Sequence, residues 1–180
     1  MSQDEIRQSL SYGVYIEHSR SIKLAADENN KTFYKIANEF MTEKNRVKGL
    51  GLLSSSLMLY AISIELILKA VALYKETNNI ISGEIKTYND FLKKLKGKNN
   101  NGHEFKSIIE KYSINLTNSD LVLIGHLQDY TIWAGRFPFP IKENEIIKLE
   151  NNNGSFGASL SLSYINEIDN IIEKLVDEII

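Results

Sequence analysis

The sequence of 180 residues contains no cysteine, which excludes disulfides and thiolate zinc sites outright. Proline is almost as scarce, with only Pro138 and Pro140. Nothing upstream of them forbids long uninterrupted helices. A basic excess is also missing: 21 Lys and Arg stand against 23 Asp and Glu, for a formal charge of −2. There is therefore no global field to draw in nucleic acid, and any such contact must be local or arise from an assembled oligomer. The chemistry-bearing motifs are absent as well. No HExxH spacing, Gly-rich phosphate loop, GxSxG elbow or paired-aspartate signature occurs, so no metal and no cofactor is expected. The opening MSQDEIRQSL has two acids and no apolar stretch, unlike a secretory leader. With the lack of cysteine, this sets the expectation of a cytoplasmic protein.

What is present is helical periodicity. Apolar residues recur at three and four rather than two, and strand alternation is scarce. The expected fold is all-α: a single domain over residues 1–180, built as an up-and-down bundle of six to seven helices around a long apolar central helix at about residues 50–76. A first helix is expected from Asp4 to Ala26, with Gly13 as a possible interruption. Asp27–Asn30 (DENN) reads as a break, followed by a helix over Lys31–Met41. Gly49 to Gly51 leads into the central helix, which ends near Asn78–Asn79, with Gly83 punctuating the connection. Further helices are expected at Tyr88–Lys96, His103–Tyr112, Asn118–Trp133 and Ser161–Ile180. The stretch GKNNNG at 97–102 reads as a loop.

The run Leu57–Tyr74 is long and apolar enough to need a membrane check. Glu65 and Lys69 sit near its middle, and each costs about 2.5–3.5 kcal/mol at a bilayer centre. They stand four apart with the acid first, the favourable order for an ion pair within a helix. A buried helix of a bundle is the better account, and no membrane partner is expected.

Glu65 is the sharpest candidate for a site, because a carboxylate among apolar neighbours must be paired, protonated or facing a cleft. Lys69 can satisfy it locally, and Arg136 can grip it with two hydrogen bonds. On the helix over 118–133, His126, Tyr130 and Trp133 share a face with Asp129 at its edge, and Arg136 follows the helix end. Those residues can line one groove, or the two aromatics can simply be core. His18 and His103 read as solvated surface histidines. Lys93, Lys94, Lys96 and Lys98 form a local basic patch whose default reading is a solvated helix face.

Three segments in this order resemble the HEPN superfamily over about residues 50–140. SLMLYAISIELILKAVALY carries an A-x-x-x-E-x-x-L-K-A pattern in Ala61, Glu65, Leu68, Lys69 and Ala70. Tyr88–Leu92 loosely matches the short helix that follows it in that family, and Arg136, Phe137 and Pro138 match its Arg-[Tyr/Phe]-Pro turn. The resemblance implies a helical bundle that often forms homodimers and works in toxin–antitoxin, phage-defence or nucleotide-linked systems. Ribonuclease members carry Arg-x(4–6)-His, whereas here no histidine follows Arg136. The leading expectation is thus a homodimeric, non-catalytic binding protein in a defence or stress context, taking a protein partner, a nucleotide or RNA through Glu65, Lys69, Asp129, Tyr130, Trp133 and Arg136. The alternatives are a metal-independent endoribonuclease with a rearranged site of Arg136, His126 and Glu65, and a purely structural interaction protein.

Overall fold

The computed structural model describes residues 8–39, 42–96, 103–131, 143, 146–147 and 162–179. The described residues form seven helices and no strand: α1 (Tyr12–Ala37), α2 (Glu43–Lys75), α3 (Thr77–Ile81), α4 (Tyr88–Lys96), α5 (Phe105–Lys111), α6 (Asn118–Asp129) and α7 (Leu162–Asp177). The chain is an all-α bundle with α2 at its centre.

α2 begins where its sequence supplies a cap. The Thr42 side chain accepts from the Asn45 backbone N–H at 3.1 Å, and Glu43 places a negative charge in the first turn, where it meets the positive end of the helix dipole. The helix thus starts well before Gly49 and Gly51, which lie inside it. From Ser56 to Leu73 its buried positions run around the whole circumference. That pattern marks a helix covered on several sides, and α1, α5, α6 and α7 all pack on it. Tyr60, Ile64, Ile67, Leu68 and Leu73 are fully buried there, against Phe91, Phe105, Ile108 and Ile171 from the surrounding helices. Each such side chain contributes about 1.5–3 kcal/mol of transfer free energy.

α1 corrects the expected pair of short helices. It runs unbroken through Asp27–Asn30 and starts after Ser11, so neither DENN nor Gly13 interrupts it. The weak helix formers in DENN are held by tertiary bonds. Asp27 accepts from Tyr60 at 2.8 Å and from Lys23 at 2.9 Å, and Asn29 donates to Ser55 at 3.2 Å. Farther along the seam, Ser19 donates to the Ser63 carbonyl at 2.8 Å and Ser63 donates to that of Ser19 at 3.0 Å. Side chains this small let the α1 and α2 backbones approach closely.

The remaining helices close the bundle. The central helix ends at Lys75, α3 is a separate short turn spanning its expected end, and Gly83 follows at φ 80°, in the left-handed region that glycine tolerates. α7 lays Ile168, Ile171, Ile172 and Leu175 into the core. Lys174 bonds Asp120 of α6 at 2.7 Å, Lys75 bonds Glu178 at 3.0 Å, and Lys23 pairs with Asp169. Residues 97–102 and 132–142 lie outside the described residues, and with them Trp133, Arg136 and the Arg-Phe-Pro turn.

Candidate functional site

Glu65 lies in the buried half of α2, its side chain only 12% exposed. One of its oxygens, Oε1, takes two partners. Lys69 Nζ, one helical turn on, sits at 2.5 Å, and His103 Nδ1 at 2.9 Å. The first is the pairing expected from the four-residue spacing. The second brings in a histidine that reads from the sequence as a surface residue. An ionised carboxylate only accepts hydrogen bonds, so Nδ1 carries the hydrogen in the neutral ring and Nε2 is then the acceptor nitrogen. The His103 side chain is 53% exposed, against 9% for Lys69. The cluster therefore meets solvent through the imidazole.

Its placement follows from the residues around His103. Phe105, two positions on, is fully buried and opens α5. The Phe105 backbone N–H donates to Gln128 Oε1 of α6 at 2.7 Å. An apolar anchor and a backbone hydrogen bond thus fix the short segment from His103 to Phe105 against α2 and α6. No pattern within α5 signals this contact, because the two groups are 38 positions apart and meet only through the packing of Phe105.

Of the other expected site residues, Asp129 and Tyr130 are half-buried at the end of α6. The Tyr130 hydroxyl is pushed up by burial and by the Asp129 carboxylate. His126 is half-buried on α6. It stands two residues from Gln128, and two residues are about 200° apart on a helix, so it sits on the side of α6 away from the His103 segment. Whether Arg136 and Trp133 join the cluster lies outside the described residues.

Two other buried carboxylates, Glu76 and Asp120, and the half-buried Asp27 have structural roles. Burial pushes the Glu76 carboxyl up, but hydrogen bonds from Asn79, Lys94 and Tyr112 outweigh it and hold the group below the usual range. Burial likewise opposes ionisation of Asp120, and Lys174 with Thr117 more than compensates. Asp120 completes a capping box with Thr117 at the start of α6. Asp27 accepts from Tyr60 and Lys23. Lys94, from the basic patch, is spent on Glu76 and Glu84. His18 is exposed beside an open, mostly apolar cavity of about 360 Å³ bordered by Gln8, Val14, Tyr15 and Leu66. Among the described residues no three His, Asp or Glu gather as a metal site would require.

The imidazole can accept a hydrogen bond from a ligand hydroxyl, with Glu65 and Lys69 as its buried support. It can also exchange a proton at Nε2, since a base steadied by a carboxylate is the arrangement general base catalysis uses. No family model, no curated protein and no solved structure matches the chain.

Proposed function

We propose that this chain is a HEPN-like helical protein that works as a homodimer and binds RNA or a nucleotide-bearing partner in a defence, toxin–antitoxin or stress setting, without catalysing a reaction of its own. The observation that carries the reading is the paired Glu65 carboxylate, whose Oε1 takes both Lys69 and His103. Its charge is balanced by Lys69 inside the helix, and the face it supports is a half-exposed imidazole rather than an open acid. Such a face offers a hydrogen-bond acceptor to a ribose or other ligand hydroxyl, and it needs no basic excess in the chain as a whole. The resemblance in Ala61, Glu65, Leu68, Lys69 and Ala70 supports the choice of ligand class. The test is titration of the purified protein against fluorescently labelled single-stranded RNA, with anisotropy read for binding and gel analysis for cleavage. Saturable binding that weakens at least tenfold in His103→Ala, with the RNA left intact, is the expected result. Absence of binding to RNA, mononucleotides and dinucleotides alike would sink it.

A second reading, a metal-independent endoribonuclease, is favoured by one specific feature. That feature is His103, a half-exposed histidine already steadied by the Glu65 carboxylate. In that case cleavage in the presence of EDTA falls by two orders of magnitude or more in His103→Ala, and persists in His126→Ala.

A further inference from the structure

Glu65 and Lys69 keep hydrogen-bonding capacity that the chain does not use. An ammonium has three donors and a carboxylate two acceptor oxygens. Lys69 Nζ meets Oε1 of Glu65, and His103 Nδ1 meets the same oxygen. Among the described residues nothing bonds Oε2 or the other two ammonium hydrogens. Yet Glu65 is only 9% exposed and Lys69 7%. Glu76 shows the contrast. It is buried as deeply, and both its oxygens are filled, Oε2 by Asn79 and Lys94 and Oε1 by Tyr112. Buried polar atoms left open cost free energy until a ligand or water bonds them.

A cavity lies next along the same face. Leu66 stands three positions before Lys69, which makes the two side chains neighbours on the helix. Leu66 also forms the α2 wall of the open apolar cavity of about 360 Å³ bordered by Val14, Tyr15 and His18 of α1. That volume is at the lower end for a small-molecule site. Tyr15 is fixed at two points there. Its hydroxyl donates to the Ser9 carbonyl at 3.2 Å, and its ring stacks on Tyr88 with centroids 6.2 Å apart and planes at 24°.

The open atoms select the ligand. Glu65 and Lys69 cancel each other's charge, so the pair has no net field to hold a phosphate or a cation. It asks for a donor and an acceptor, side by side and uncharged. Two neighbouring hydroxyls supply them, one donating to Oε2 and the other accepting from Nζ. We infer that the pair binds the 2′,3′-diol of a ribonucleoside, with the base on Leu66 and Tyr15 in the adjoining cavity. This rests on the ligand reading above and narrows it to the sugar. A free nucleoside and the 3′ end of an RNA chain present the same diol.

Calorimetric titration of the full chain with adenosine, guanosine, cytidine and uridine identifies the base held best. Its 2′-deoxy and 3′-deoxy analogues and its 5′-monophosphate are then compared. Short RNAs ending in that nucleoside, with a free diol or a 3′-phosphate, complete the set. Loss of either hydroxyl is expected to weaken binding about tenfold or more, and the 5′-phosphate to change nothing. The double variant Glu65→Leu/Lys69→Met, its fold confirmed by circular dichroism, is expected to bind more weakly and to hold ribo and deoxy forms alike. Diol-ended RNA that binds at or above the nucleoside's affinity assigns the site to chain ends, and a preference for the free nucleoside assigns it to the small molecule. Two results would overturn this inference and leave the RNA reading intact, because the pair would then hold water alone. One is deoxy analogues that bind as tightly as the ribonucleoside. The other is RNA that binds equally with either 3′ end while no nucleoside does. Binding of none of these ligands would overturn both readings.

Discussion

Glu65 and Lys69 illustrate how a charged pair can sit in an apolar helix at little net benefit to stability. Both ions lose most of their hydration, and what they recover is one short contact plus the His103 hydrogen bond. Removing one partner leaves the other buried and uncompensated, whereas removing both leaves a packed apolar site. Glu65→Leu is therefore expected to cost about 3–5 kcal/mol, and the double variant Glu65→Leu/Lys69→Met to recover most of it. Urea unfolding of the two variants decides this, since equal instability in both would mean that charge is not the cause. The i, i+4 spacing made this pair legible in advance. His103 was not, because nothing local to His103–Phe105 says which helix those residues meet. Asn30 makes the converse case. It is 4% exposed at the α1–α2 seam, and no described residue hydrogen-bonds its side chain. A buried amide without a partner costs about 1–3 kcal/mol, so Asn30→Leu is expected to raise stability by about 1 kcal/mol and Tm by a few degrees in a thermal melt.

At the scale of elements, periodicity located α4, α5, α6 and α7 to within a few residues, because each has one buried stripe and one wet face. It failed on α1, where DENN has poor intrinsic propensity and its helical state depends on Tyr60 and Ser55, residues of another helix. It placed the start of α2 too late for a related reason. Gly49 and Gly51 look like punctuation, but the helix is already capped at Thr42 and runs through them. The junction of α6 and α7 is held by Asp120, which takes the Thr117 cap and Lys174 together. Its carboxyl is held below the ordinary value, so its contribution is complete above about pH 4 and is lost as pH falls through the depressed folded value. Glu76 adds to the same acid limb, by the same sign. Lys174→Met is expected to cost about 1 kcal/mol at pH 7, since Lys174 is 43% exposed and its pairing is partly screened. It is also expected to make the loss of stability below pH 4 shallower than in the unmodified protein. Chemical denaturation at pH 7, 4 and 3 reads both effects.

For the whole molecule, the central helix explains both what was legible and what was not. Its continuous apolar run identified a core element from the sequence alone, but a helix apolar on every side gives no periodicity from which to assign its neighbours. Which helix covers which side had to come from the structure, and so did the position of His103. The same property makes α2 a hazard when uncovered, because it is long and apolar enough to pass as a membrane span, and burial inside the fold is what hides it. α7 supplies one of those covers through Ile168, Ile171 and Leu175, each fully buried. A chain ending before Leu162 loses that layer along with the Lys23, Lys75 and Lys174 pairs. Uncovering several large apolar side chains on one helix creates a patch of the size that drives association. The truncated protein is therefore expected to bind a hydrophobic dye strongly and to float with lipid vesicles, while the full chain does neither. A truncated form that remains soluble, dye-silent and cooperative in its unfolding would show that α2 is shielded without α7.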